Sequence, residues 1–422
     1  MNNSNNIDEV TLNNLPDDCL MEIFKYLPRF QERLKVGRVC KRWNRVVRLC
    51  CADSREVVVE PPEYFLRHLQ TIIVQGQVVR IKTAGNAMVK GVISLCGPWL
   101  IKLSDLPDHK RTTTISEASK QCQQLEEIKV KIHTPVQDRR LRDLGMVNQS
   151  LHQLSVEIYM KGTNTWFERL NGASLQRLRI FTEDFSEGHM LNSLATKMLE
   201  LMNLEEFSIN IINDGLLQSI ATMTTLENVE ISRAHSVIEL SEEGLNGILN
   251  LKNLRSLYIN SANSPQRWCT DTFIGNLAEA CPRIERLTLR GNRHISDRIL
   301  PKLSHLRELK CLTLSNLREI KGGSLHLLIN LETLILTRCP KMESVNVEGL
   351  LRKSRVLKEL MLYSTPTPNS IFYAAVEGLN TRNDGAEQEL NIMVDGFINQ
   401  QTVRDRYLFI SHPLLTINHH RL

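Results

Sequence analysis

Few residues of this chain have the type and spacing that catalysis or metal binding requires. Cys269, which follows Trp268, is a candidate nucleophile, but a cysteine needs an activating base and the sequence identifies no histidine partner. His419 and His420 could bind a metal ion adventitiously, although a frayed terminus is the prediction there. Gly-rich phosphate loops, His-Glu-x-x-His and Gly-x-Ser-x-Gly are absent. We therefore predict no catalytic residue, metal or cofactor, and a buried or loop thiol at Cys269.

Composition favours an intracellular protein. The ten cysteines are scattered without any Cys-x-x-Cys pair, which argues against zinc and redox sites and predicts reduced, mostly buried thiols. The net charge of +5 is mild and indicates no nucleic-acid partner, and no apolar run approaches the roughly 18 residues of a membrane span. Residues 1–10 are polar and Asn-rich, so we predict disorder there and no secretory signal. We expect a cytoplasmic and/or nuclear location.

The elements of the chain begin with a dense apolar pattern in residues 11–50. Pro16 suits a helix start, and Asp17 and Asp18 place acid in the first turn. Apolar residues then recur at three- and four-residue steps, which predicts a short amphipathic helix: Leu20, Ile23, Phe24 and Leu27. A second apolar set lies among basic residues whose charged ends we expect in water: Leu34, Val39, Trp43 and Val46. Since some forty residues bury a low fraction of their surface, the apolar excess implies a partner.

The ordered pattern from Leu12 to Trp43 resembles the F-box, with Asp18 where Glu is common. It reads Leu-x-x-Leu-Pro-x-Asp-x-Leu-x-x-Ile-Phe-x-Tyr-Leu and continues later as Val-Cys-Lys-x-Trp. The resemblance implies docking to the Skp-family adaptor of a cullin-RING (SCF) ubiquitin ligase. The alternative is an ordinary helical hairpin packed on the rest of the chain. The implied residues, which sequence cannot divide between core and interface, are Leu15, Pro16, Leu20, Ile23, Phe24, Leu27, Val39, Cys40 and Trp43.

A repeat dominates from Leu125 onward. The phrase Leu-x-x-Leu-x-Leu, with Ile, Val or Phe allowed, begins ten times at intervals of 22 to 30 residues, close to a leucine-rich-repeat period. The last two apolar residues of each phrase alternate at strand period and should point into the stack. The phrases begin at Leu125, Leu151, Leu175, Leu204, Leu226, Leu254, Ile284, Leu309, Leu331 and Leu357. Each repeat should supply one parallel strand.

The period between phrases lengthens to about 3.6, so each return segment is predicted to be an amphipathic helix. Several details resemble the cysteine-containing repeats common in F-box proteins. Asn292 and Cys339 follow the last leucine of their phrases by three residues, where side chains can hydrogen-bond the backbone between repeats. The predicted fold is α/β: a short all-α F-box at 11–50, then a curved leucine-rich-repeat solenoid at 123–396 with a parallel concave sheet and outer helices.

Two regions are less regular. Residues 51–122 contain apolar clusters of uncertain phase, which suit either degenerate first repeats or a linker. Near the other end, Ile371 to Leu379 is predicted to be a helix and Ile392-x-Val394 the last strand. Residues 397–422 should then cap the open end of the stack.

Function must be read from surfaces, and the outward residues of the concave sheet offer a mixed column that does not suit nucleic acid. Ile335, Met361 and Tyr363 cluster on adjacent predicted strands with Arg286 and Arg290 nearby, a combination typical of protein-binding sites. The arginines could add attraction for an acidic or phosphorylated segment. The alternatives are incidental exposure, cover by the C-terminal segment, or a site around Trp268 in the loop of residues 260–270.

The family resemblance implies a substrate receptor of an SCF ubiquitin ligase. The F-box would bind the adaptor, and the repeats would hold an unidentified protein substrate for ubiquitination and proteasomal degradation. Catalysis would be proximity alone, with no enzymatic residue on this chain. A non-degradative scaffold that uses the same adaptor contact is the alternative.

Overall fold

The computed structural model describes residues 11–27, 29–60, 71–75, 77–82, 86–104, 114–159, 165–183, 188–232, 240–261, 268–292, 294–381, 389–395 and 412–420. The chain divides into two compact units, an N-terminal unit, Met1–Gln176, and a C-terminal unit, Arg177–Leu422. The predicted disorder of residues 1–10 lies outside the described residues, as does most of the predicted C-terminal cap.

The N-terminal unit begins with three short helices packed around a small core. The first helix begins directly after Pro16, as predicted, and buries Leu20 and Phe24. The ring of Phe24 packs against that of Trp43 on the third helix, with centroids 5.2 Å apart. The elements are a 3-10 turn at Leu12–Asn14 followed by α1 (Asp17–Lys25), α2 (Phe30–Val36) and α3 (Lys41–Leu49).

The rest of the N-terminal unit is a mixed sheet with helices. In residues 51–122, where the sequence left the phase open, strand β1 pairs in parallel with both β3 and β4, and β2 lies antiparallel to β3. Beyond β4 the pairing is parallel and regular. The elements are β1 (Glu56–Glu60), β2 (Thr71–Gln75), β3 (Val78–Lys82), α4 (Asn86–Cys96), β4 (Lys102–Ser104), α5 (Thr114–Gln121), β5 (Glu127–Ile132), α6 (Pro135–Val147) and β6 (Gln153–Ile158).

The C-terminal unit is a repeating α/β solenoid. The ten strands among its described residues pair in parallel in chain order, and all but the last bury alternate residues, such as Leu257 and Ile259 of β10. Its strands are β7 (Arg177–Thr182), β8 (Glu206–Ile209), β9 (Asn228–Ser232), β10 (Ser256–Asn260), β11 (Arg286–Arg290), β12 (Cys311–Ser315), β13 (Thr333–Thr337), β14 (Glu359–Tyr363), β15 (Leu390–Asp395) and β16 (Leu415–His420). Its helices are α7 (Gly188–Met198), α8 (Asp214–Ile220), α9 (Glu242–Asn246), α10 (Asp271–Ala280), α11 (Ile299–Leu303), α12 (Ser344–Lys353) and α13 (Ser370–Asn380).

All ten predicted phrases form strands, β5 to β14, each beginning two residues after the first position of its phrase. The helix predicted for 371–379 is confirmed by α13. The prediction that Ile392-x-Val394 is the last strand is wrong, because β16 follows and pairs with β15 from Leu390 opposite Leu415. His419 and His420 lie in β16 and not in a frayed terminus.

Helical return segments are less uniform than predicted. A typical one is α10, where the Thr270 hydroxyl accepts the amide of Phe273 at 3.3 Å and the helix ends before Cys281. Between β12 and β13, however, the return contains only a 3-10 turn, Leu325–Leu327, so the expectation of a helix in every repeat is wrong. Gly322 lies in this return at φ +92°, a conformation that favours glycine.

The turn positions after the strands carry the predicted backbone contacts. The amide of Asn292 donates to the carbonyl of Cys269, and the Cys339 thiol donates to the carbonyl of Leu314 at 3.4 Å. Thr365 occupies the equivalent place after β14, where its hydroxyl donates to the carbonyl of Leu336 at 3.3 Å. Sequence reasoning missed Thr365 because it looked only for Asn and Cys there.

Candidate functional site

The predicted adaptor-binding residues fall into two groups by burial. Leu20 and Phe24 are buried in the small core of the three helices, so of the two roles that the sequence left open for them they take the core role and are removed from the adaptor-binding set. Trp43, Leu15 and Leu27 are half-buried. Pro16, Ile23, Val39 and Cys40 are exposed, and Leu12 and Tyr26 are exposed with them. We call these six residues the exposed set.

The exposed set is held in place by interactions within the three helices. Asp17 at the start of α1 accepts hydrogen bonds from Arg42 Nε at 2.7 Å and from Arg45 at 2.6 Å, both on α3. Arg42 also donates to the carbonyls of Asn13 and Leu15. The expectation that the basic residues of this region keep their charged ends in water is therefore wrong for Arg42. The bonds from Arg42 and Arg45 lower the pKa of Asp17 below its ordinary value.

Large apolar side chains of the exposed set are open to solvent in this unit. Ile23 is 41% exposed, Val39 61% and Tyr26 84%. Cys40 caps α3, since its sulfur accepts the amide of Trp43 at 3.4 Å. Exposed apolar groups of this size beside a small core are typical of an interface with another protein.

A second candidate surface lies on the outward sheet face of the C-terminal unit. Ile335, Met361 and Met393 are register partners on β13, β14 and β15 and are each half-buried. Tyr363 extends the cluster, and its hydroxyl lies 3.9 Å from the sulfur of Met393. We call these four residues the apolar stripe. The structure thus brings the predicted Ile335, Met361 and Tyr363 together and adds Met393, which the sequence offered only as part of a last strand.

The remaining predicted substrate residues are placed differently. Arg286 and Arg290 are exposed at the two ends of β11, two strands from Ile335. Trp268 is 1% exposed, so its assignment to a binding loop is wrong: the side chain belongs to the core, where it cannot reach a partner. Most of the predicted loop around it, residues 262–267, lies outside the described residues.

The chemistry of the described residues does not include an activated nucleophile at Cys269. Burial raises the pKa of this thiol to about 12, so it stays protonated near neutral pH. All ten cysteines are free thiols and six are buried. Within the described ranges, no group of three or more His, Cys, Asp or Glu side chains is placed to hold a metal ion, and no helix has the length and apolar character of a membrane span.

Comparison with known proteins identifies the N-terminal module. A family model for F-box-like domains matches residues 12–50. The human and the mouse F-box/LRR-repeat protein 12 are each 54% identical to this chain over 37 residues. That match covers 9% of this chain and only 11% of the length of each curated relative.

Solved structures resemble the chain more broadly but weakly. An internalin from Listeria monocytogenes has 16% identity and a TM-score of 0.40, covering 87% of this chain and 97% of that one. A chain of the Rad7 and Elc1 complex from yeast has 15% identity and a TM-score of 0.42. That match covers 79% of this chain and 86% of the other. At these scores neither likeness bears on function.

Two features characterise the chain, the F-box-like module and the repeat architecture. Residues 12–50 match the F-box-like family, and the C-terminal unit stacks one parallel strand per repeat in leucine-rich-repeat register. The chain therefore combines an F-box-like module at residues 12–50 with a solenoid of leucine-rich-repeat type.

Proposed function

We propose that this protein is the substrate-recognition subunit of an SCF (cullin-RING) ubiquitin ligase. The observation that carries the proposal is the F-box-like match at residues 12–50 on a module whose large apolar side chains are exposed. In this proposal the exposed set contacts a Skp-family adaptor, and the adaptor links the chain to the ligase.

The proposal assigns no catalytic step to this chain. Its contribution is to raise the effective concentration of a bound protein near the ubiquitin-charged enzyme, which needs neither acid, base nor nucleophile here. The substrate is proposed to bind the sheet face of the C-terminal unit, with the apolar stripe as anchor. Tyrosine and methionine are enriched at protein interfaces, and tyrosine is among the residues that most often dominate their binding energy. We place the complex in the cytoplasm or nucleus.

The test of the adaptor contact uses surface residues, so that lost binding is separable from misfolding. We expect Ile23→Asp with Val39→Asp in the full-length chain to weaken adaptor binding by at least about a hundredfold, since a central apolar contact contributes roughly 2 kcal/mol or more. The matched control is Val136→Asp with Met146→Asp, which changes two equally exposed apolar residues of α6 in the same unit. The measurement is titration of purified adaptor against each protein, with circular dichroism to verify folding.

Adaptor affinity that is equal for the wild type and the Ile23/Val39 variant would contradict the proposed contact. The role in ubiquitination is tested separately, by comparing ubiquitination and turnover of captured partners with the wild type and this variant. Adaptor binding without any adaptor-dependent ubiquitination would favour the non-degradative scaffold instead.

A further inference from the structure

A polar depression lies on the outward sheet face of the C-terminal unit, separate from the apolar stripe. It has a volume of about 320 Å³ and spans strands β7 to β11. Its size follows from its side chains, because the small residues Ser208 and Ser256 lie between the longer Arg179, Tyr258 and Arg286. A space of this volume suits a few side chains of a protein segment.

At the β7 side of the depression the charges are already paired. Arg179 donates to Glu206, with its Nε 2.9 Å from Oε1, and Arg177 approaches the other oxygen of Glu206 at 3.8 Å. Both arginines approach the single carboxylate of Glu206, so this carboxylate is not free to pair with a ligand, and the group keeps one net positive charge.

On the β9 to β11 side two charges remain without ionic partners. Glu230 accepts a hydrogen bond from the Ser208 hydroxyl at 2.9 Å, and Arg286 reaches the side-chain oxygen of Asn228 at 3.4 Å. Among the ion pairs of the described residues, neither Glu230 nor Arg286 takes part in one. Tyr258 lies between them on β10 and adds a hydroxyl. The depression therefore presents one acidic and one basic group that a ligand of both charges would complement.

We propose that this depression binds an extended protein segment that carries an acidic and a basic side chain a few residues apart. The carboxylate of the segment pairs with Arg286 and its ammonium or guanidinium group pairs with Glu230. Glu230 and Arg286 lie two strands apart and two residues out of register. Their Cα atoms are therefore about 12 Å apart, which matches a spacing of about three to four residues in an extended chain. A phosphate dianion is a poorer fit, since Glu206 and Glu230 line the same space. The inference rests on the proposed function only in taking the occupant to be a protein target.

The test is selection of random twelve-residue peptides displayed on phage, with the full-length chain as bait. The wild type should enrich peptides that carry an acid and a base two to four positions apart. The Arg286→Glu variant should instead enrich peptides in which a basic side chain replaces the acidic one. The Glu230→Arg variant should enrich peptides in which an acidic side chain replaces the basic one. Each reversal should weaken a wild-type-selected peptide by about tenfold or more, measured by fluorescence anisotropy of the labelled peptide.

The matched control is Arg307→Glu, an exposed arginine shortly before β12 that does not line the depression. It should select the same peptides as the wild type. Peptides that bind wild type, Arg286→Glu and Glu230→Arg with equal affinity would overturn the proposal. So would a selected peptide that binds at least tenfold more tightly when its acid is replaced by phosphoserine, because the site would then prefer phosphate. Adaptor affinity, measured on the same proteins, reports on the F-box independently, so failure of one proposal is distinguishable from failure of the other.

Discussion

At the scale of single residues, one carboxylate joins the first and third helices of the F-box. Asp17 takes hydrogen bonds from Arg42 and Arg45, residues 25 and 28 positions later in the chain. The sequence indicated the acid at the helix start and the basic run, each for local reasons. It could not pair them, because the pairing depends on how α1 and α3 pack.

The pH dependence of this contact follows from the lowered pKa of Asp17. Charged Asp17 stabilises the fold above its ordinary pKa of 3.8, and that contribution is lost as pH falls through the lower folded-state value. We therefore expect Asp17→Asn to lower the melting temperature of the full-length chain near pH 7. The difference from wild type should shrink below about pH 4. The measurement is the melting temperature of both proteins by differential scanning fluorimetry from pH 3 to 7.

The control for Asp17 is Asp18→Asn, which removes the same charge from the next, exposed residue of the same turn. Its effect on the melting temperature should be small at every pH. A difference between Asp17→Asn and wild type that stays constant from pH 3 to 7 would show that the carboxylate charge does not hold α3.

Trp268 shows why burial is hard to predict from a loop sequence. Its neighbours Cys269 and Thr270 precede a helix, and nothing in the local pattern distinguishes a surface tryptophan from one that fills the core. Because Trp268 is buried, we expect Trp268→Ala to cost about 3 to 5 kcal/mol and to lower the urea midpoint of unfolding. Tyr373→Ala, at an exposed aromatic residue of α13, should change the midpoint little. An unchanged midpoint for Trp268→Ala would contradict the core assignment.

At the scale of elements, the sequence predicted the strands well and the connections less well. Most strands bury two or three side chains at period two, a signal that lies within the strand itself. The connections depend on contacts between repeats. Asp271 at the start of α10 accepts hydrogen bonds from the hydroxyl and the backbone amide of Ser296 in the next repeat. Asp214 at the start of α8 accepts the same two hydrogen bonds from Ser241. An acid at a helix start is a local signal, but the serine partners of these two acids lie 25 and 27 residues away.

Helix packing makes a contrasting prediction for two mid-helix glycines. A Cβ added at Gly378 in α13 would lie 2.1 Å from the carbonyl oxygen of Leu351, whereas at Gly275 in α10 the nearest atom would be Cγ of Lys302 at 3.7 Å. Gly378→Ala should therefore destabilise the chain by about 1 to 3 kcal/mol by forcing α12 and α13 apart. Gly275→Ala should stabilise by up to about 1 kcal/mol through helix propensity. Thermal unfolding of both variants is the measurement, and shifts of the same sign would contradict this account of the packing.

At the scale of the whole molecule, the sequence predicted the class of protein better than its surfaces. Residues 11–50 carry a pattern dense enough to be recognised, and the leucine phrases fix which strand residues face outward. Residues 51–122 could not be predicted, because β1, β3 and β4 are ordered in space differently from their order in the chain. The polar depression was missed as a site because it depends on small residues, Ser208 and Ser256, and on which charges pair across strands.

The apolar stripe and the polar depression lie on the same sheet face of the C-terminal unit, with β12 between β11 and β13. A segment that binds both would be anchored by apolar groups and selected by charge.

We expect Met361→Glu with Met393→Glu to reduce recovery of cellular partner proteins by tenfold or more, because each change puts a charge where an apolar contact is proposed. Adaptor recovery should be unchanged, since the exposed set lies in residues 12–40. Quantitative mass spectrometry of affinity-purified full-length proteins, matched in expression and circular dichroism, is the measurement. The control, Val345→Glu with Tyr373→Glu, places the same charges on exposed residues of α12 and α13 and should retain the partners. If this control loses the partners and the stripe variant keeps them, the substrate surface is on the helices and the sheet-face assignment is wrong.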